Sequence, residues 1–87
     1  MSVFTAPRIV TVPTPVGDVQ VRRTFWREDD GTRRLRWSAR PVGGYGWKVH
    51  DLLQVALAHA FGYTAPPFPE WLDRVAEQAQ AEIGAAV

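Results

Sequence analysis

Val19 to Arg40 reads VQVRRTFWREDDGTRRLRWSAR, and the fold turns on how this stretch is paired. Successive side chains of a β-strand point to opposite faces, so only every second residue can enter a core. Val19, Val21 and Phe25 share one face in the first half, and Leu35, Trp37 and Ala39 share one in the second. All six are odd-numbered. An antiparallel pairing that unites them needs an even register sum, such as Phe25 opposite Leu35 and Val21 opposite Ala39. That parity requires a loop of odd length. Asp29-Asp30-Gly31 supplies it as a type I turn with glycine in the left-handed region. A two-residue Asp30-Gly31 turn would set Trp37 beside Thr24 and send one apolar set to water. The predicted element is therefore a long hairpin with a three-residue loop.

This register gathers Arg22, Thr24, Trp26, Arg34, Arg36, Ser38 and Arg40 on the opposite face. Four guanidiniums and an indole then share one ribbon. Arg23 falls on the core side opposite Trp37, where its stem can lie along the ring and its charged head can reach the edge.

Working outward, Arg8 to Val12 is expected as a short edge strand, with Val10 and Val12 joining Val19 and Val21 on the core side. The intervening Pro13-Thr14-Pro15-Val16-Gly17-Asp18 is turn chemistry. On the other side, Pro41-Val42-Gly43-Gly44 forms a second turn. Tyr45, Trp47 and Val49 then alternate, either as a short fourth strand or as the approach to a helix beginning at Lys48, and Trp47 is expected on the core face with Trp37 and Trp71. The neighbouring glycines match neither phosphate-binding glycine pattern, which leaves them as turn residues.

Asp51 is placed to cap a helix whose stripe is Leu52, Leu53, Ala56, Leu57, Ala60 and Phe61, with Gly62 as its stop. An extended link, Thr64 to Pro67, follows. A second helix is expected from about Pro69 to Ile83, burying Trp71, Leu72, Val75, Ala76, Ala79 and Ile83. Whether that helix packs on its own domain or on a partner stays open. The expected fold class is α+β: a small antiparallel β-sheet of three to four strands followed by two α-helices, at least the first packed on one sheet face. Residues 1–87 form one domain, with residues 1–6 a flexible N-terminus and 84–87 a frayed C-terminus.

Composition narrows the function classes. The chain has no cysteine, which removes disulfides, thiolate metal sites and thiol nucleophiles and fits a reducing compartment. It begins with no basic region leading into an apolar run, and no apolar stretch approaches a membrane span. A cytoplasmic, bacterial or phage-like protein with no membrane partner is expected. Net charge is only +1, but residues 1–48 hold nine basic and four acidic side chains, while 49–87 hold one and five. Nine of the ten basic residues are arginine, the side chain suited to planar contact with phosphate, carboxylate or aromatic faces.

No nucleophile, base and orienting group assemble from these residue types, so the chain is expected not to be an enzyme, with no catalytic residues, cofactor or metal. His50 and His59 are nine apart; on a single helix they would point in opposite directions and could not share a metal. The concentrated signal is the arginine face. Arg22, Trp26, Arg34, Arg36 and Arg40 are the candidate binding residues, able to lie along a nucleic-acid backbone with the indole stacking on a base or sugar. In layout alone, a helix-backed sheet with a basic face resembles the small three-stranded DNA readers of some phage integrases and the double-stranded RNA-binding domains. The alternative is a solvated face on which arginine stems shield Trp26. A third reading makes the patch a protein-interaction site for an acidic protein surface or a second copy of the chain, and it would depend on Trp26 more than on any single arginine.

Overall fold

The computed structural model describes residues 8–84, and for Trp26 the backbone alone. The element order is β1 (Ile9–Val12), β2 (Val19–Arg27), β3 (Arg33–Pro41), β4 (Lys48–His50), α1 (Leu53–Ala60) and α2 (Trp71–Gly84). The strands form one antiparallel sheet in the order β1-β2-β3-β4, and the fold is α+β as expected. The expectations for residues 1–6 and 85–87 lie outside the described residues, while Gly84 closes α2.

The central hairpin has the register that side-chain parity demands: Phe25 pairs with Leu35, Val21 with Ala39, and the ladder runs from Val19↔Pro41 to Arg27↔Arg33. Its loop closes as a three-residue connection. Glu28 N–H donates to the Thr32 carbonyl (2.8 Å) and Gly31 N–H to the Glu28 carbonyl (3.0 Å). Gly31 sits at φ +89°, a conformation that a β-carbon disfavours, which is why glycine occupies this loop position. β1 pairs through Val10↔Val21 and Val12↔Val19, so all four valines face one side.

Both helices cover that side. α1 lies on β3 and β4, α2 on β1 and β2, and the helices touch each other, so α2 packs on its own domain. Val10, Val12, Val19, Val21, Trp37 and Ala39 from the sheet join Leu53, Ala56 and Leu57 of α1 and Leu72, Val75, Ala76, Ala79 and Ile83 of α2 in one core. Phe61 and Trp71 close its edge with rings edge to face, 5.5 Å between centroids. α1 ends in a Schellman arrangement: Tyr63 N–H donates to the Ala58 carbonyl (2.8 Å) and Gly62 N–H to that of His59 (3.1 Å), with Gly62 at φ +88°.

Several expectations are corrected. Phe25 and Leu35 belong to the core-facing set by parity yet remain 60% and 37% exposed, because β1 reaches only to Arg22 and β4 only to Trp37. Beyond them the hairpin continues as a bare two-stranded arm, and the molecule measures 43 × 27 × 23 Å. Trp47, expected in the core, lies on the opposite face. The β3–β4 register pairs odd positions with even ones, as in Ser38↔Val49 and Trp37↔His50, which turns Lys48 and His50 toward the helices and Trp47 and Val49 away from them. Tyr45 is fully exposed. Ser38, on the face opposite the apolar set, is 1% exposed. Finally, Asp51 does not cap α1. Leu52 is the cap residue and offers no side-chain bond, while His50 Nδ1 accepts the Leu52 N–H (2.9 Å) in the preceding turn.

Candidate nucleic-acid interface

The face away from the helices carries the arginines, and the structure divides them into two pairs. At the body end, Arg22 on β2 and Arg40 on β3 converge on Trp47: their guanidinium carbons lie 4.1 and 4.3 Å from the centroid of the indole ring. Arg40 Nε also donates to Gln20 Oε1 across the strands (2.8 Å). Ser38, 1% exposed, lies among these groups: it pairs with Arg22 on one side and Val49 on the other and stands two residues before Arg40. Arg22 Nε is buried without a hydrogen-bond partner among the described residues, and cation–π attraction to Trp47 offsets part of that cost. This cluster is a packed cover over the sheet. Its guanidiniums are half-buried and committed to an aromatic ring.

At the arm end, Arg34 and Arg36 share one anion. Arg36 Nε lies 3.2 Å from Asp51 Oδ1 and Arg34 Nη1 3.8 Å from Asp51 Oδ2, and Arg34 Nε lies 3.6 Å from Glu28 Oε1. Asp51 reaches this position because it follows His50, which pairs with Trp37; one step further along both strands brings Asp51 opposite Arg36. The side chains are 52% exposed for Arg34, 37% for Arg36 and 48% for Asp51. Ion pairs this exposed contribute about 0–1 kcal/mol each. The two guanidiniums are therefore held in place without being sequestered. Trp26 takes the register position opposite Arg34, and its side chain lies outside the described ones.

The four arginines thus come to one face but not to one cluster, and Trp26 takes a register position of the same parity. Arg34 and Arg36 are brought together near the Trp26 position, and Arg22 and Arg40 are brought together elsewhere, around a residue that parity reasoning had assigned to the core. Trp47, Asp51 and Gln20 are the members of this face that the sequence reading missed. A signal for two of them exists: a β4 register with an odd sum puts Trp47 opposite Arg40 and Asp51 opposite Arg36. The loop from Pro41 to Trp47 simply contains no feature that chooses between odd and even.

Acidic side chains contribute one further perturbed group. Asp30 at the hairpin tip accepts the Thr32 hydroxyl (2.7 Å) and the Thr32 N–H (2.9 Å) on Oδ1. These bonds, the hydroxyl first, hold its carboxyl below the ordinary aspartate range. His50 and His59 meet across β4 and α1 with rings edge to face, 6.2 Å between centroids. They come together because they sit on different elements, an arrangement that their spacing alone does not reveal. Among the described residues no group of three or more His, Cys, Asp or Glu side chains is gathered for a metal ion, and no helix is long and apolar enough to cross a membrane. No protein-family model matches the chain, and neither a curated protein nor a solved structure matches it.

Proposed function

We propose that the chain is a non-catalytic binding module whose open sheet face contacts nucleic-acid backbone, with Arg34 and Arg36 as the phosphate contacts. The observation that supports this reading is the Asp51 bridge. Two guanidiniums on one strand converge on the two oxygens of a single carboxylate, and a backbone phosphodiester offers two non-bridging oxygens that share one negative charge in the same way. Because the bridge is half-exposed, an incoming phosphate can replace Asp51 at little cost. Trp26, opposite Arg34, stands where an indole could stack on an adjacent base or sugar. Arg22 and Arg40 serve chiefly to pack on Trp47, and they enlarge the positive field of the face rather than supply the first contacts.

Backbone contact predicts a specific salt response. Fluorescence anisotropy of labelled random-sequence duplex DNA and RNA, titrated from low to near-physiological salt, should give a log–log slope near about −0.9 per neutralised phosphate on DNA. The Arg34→Ala/Arg36→Ala double variant should stay folded and flatten that slope by about 2. Absence of binding at low salt by the intact chain would eliminate this function.

A further inference from the structure

The helix-side face of the arm carries residues that backbone contact on the open face does not use. Phe25 and Leu35 oppose each other there, both solvent-exposed, since the helices stop short of them. Leu52, also exposed and extended in backbone, follows Asp51 at the foot of α1. Three arginines share this face by parity: Arg23, Arg27 and Arg33. Arg33 lies over the Phe25 ring at 4.5 Å and Arg23 lies 5.9 Å from the Trp37 centroid. Among the described residues none of these three has a carboxylate within ion-pair distance, whereas Arg34 and Arg36 on the other face do.

An apolar pair bordered by three cations without counterions is complementary to one kind of occupant. We propose that this face docks an acidic amphipathic segment of another protein, with an apolar side chain over Phe25 and Leu35 and carboxylates against Arg23 and Arg33. The acidic tip, Glu28-Asp29-Asp30, limits how far the segment's negative charge can extend: its carboxylates stop at Arg33, and whatever passes beyond toward the tip is neutral or basic. A uniformly charged phosphate chain would run against that tip and would gain nothing from Leu35. A second copy fits less well. The outer side of α2 offers Asp73 and Glu77, but Leu72, Val75 and Ile83 of that helix are buried in its own core. The patch is small, so the complex belongs to the transient, low-area class of interface.

The test is a displayed library of random short peptides selected on the intact chain, with counter-selection on a Phe25→Ser/Leu35→Ser variant, followed by titration of the enriched peptides as synthetic ligands. Both substituted residues are exposed, so the variant should keep the wild-type far-UV circular dichroism. Enriched peptides should combine an aromatic or branched apolar residue with two or more carboxylates. They should lose about tenfold in affinity or more with Phe25→Ser and with Arg23→Ala/Arg33→Ala, and little with Arg34→Ala/Arg36→Ala. Four outcomes overturn the proposal: no enrichment, enrichment of peptides without carboxylates, indifference to Phe25→Ser, or self-association of the free chain in sedimentation that Phe25→Ser abolishes. Loss of duplex binding in Phe25→Ser as deep as in Arg34→Ala/Arg36→Ala would also overturn it, by assigning this face to nucleic acid.

Discussion

The two halves of the central hairpin obey one register and one alternation, yet they live in different environments. At the body end Val19, Val21 and Ala39 are fully buried; a few residues along the same face, Phe25 and Leu35 stand in water. The difference comes from the length of what lies on top. α1 has eight residues, an axial length of about 12 Å, and each outer strand pairs with only three or four positions of the hairpin. A strand's pattern decides which side chains share a face, and the neighbouring elements decide how far along the strand that face is covered. Apolar residues beyond the cover contribute less to the fold than those beneath it. They become surface, available for recognition.

The sharpest way to break this comparison is to delete one apolar group from the helix that covers the body half and one from the uncovered arm. Leu57→Ala, beneath the sheet and fully buried, should cost about 2–5 kcal/mol, whereas Phe25→Ala should cost no more than about 0.5 kcal/mol as a surface change. Urea denaturation of both variants measures this, and equal losses would mean that the arm is covered after all. A smaller effect is expected on the other face. Trp47→Ala removes the ring on which Arg22 and Arg40 meet, with an expected loss of about 1–2 kcal/mol, seen as a lowered thermal midpoint.

Asp51→Asn separates the two pairs of arginines on the open face. Its stability change should remain within about 1 kcal/mol because the bridge is half-exposed. Affinity for duplex DNA should rise severalfold, since Arg34 and Arg36 lose their competing anion. Unchanged affinity in a chain that does bind would show that the bridge and the binding contacts are separate.

The smallest effect lies at the tip. Asp30 titrates lower in the folded chain than in the unfolded one, so its contribution to stability is present above the unfolded value and is lost as pH falls through the folded one. Carboxyl chemical shifts followed by NMR should place its midpoint below the ordinary aspartate range. Thr32→Val should move it part of the way back, because the backbone N–H remains as a donor.

Much of this architecture was legible from residues alone. The odd-numbered positions of the hairpin, together with the odd-length Asp29-Asp30-Gly31 loop, are sufficient for the β2–β3 pairing, and the same parity places Val10 and Val12. The helical stripes likewise give Leu53, Ala56 and Leu57 of α1 and Leu72, Val75, Ala76, Ala79 and Ile83 of α2, although Leu52 of the expected α1 stripe is exposed and the buried Ala58 lies outside it. Two kinds of information were not legible. Nothing in the spacing of Val21 and Phe25 says that the helices end between them, because cover is a property of other elements. Nothing in Pro41 to Trp47 chooses the parity of β4, so Trp47 was assigned to the wrong face and Asp51 to a cap. The candidate site therefore kept its arginines and changed its grouping: Arg34 and Arg36 remain at the proposed contact, while Arg22 and Arg40 belong to a packed cover.

The bare arm has one more consequence. Beyond Arg22 on one strand and Trp37 on the other, no described strand continues the ladder, so both rims of the ribbon present unpaired amides and carbonyls to water. Such rims invite strand-to-strand stacking between molecules and, at high concentration, aggregation. Here Arg23, Arg27, Arg33, Arg34 and Arg36 occupy most of the arm's strand positions, and two copies approaching rim to rim would bring like charges into register. Like-charge repulsion among these arginines thus opposes rim-to-rim pairing of two copies.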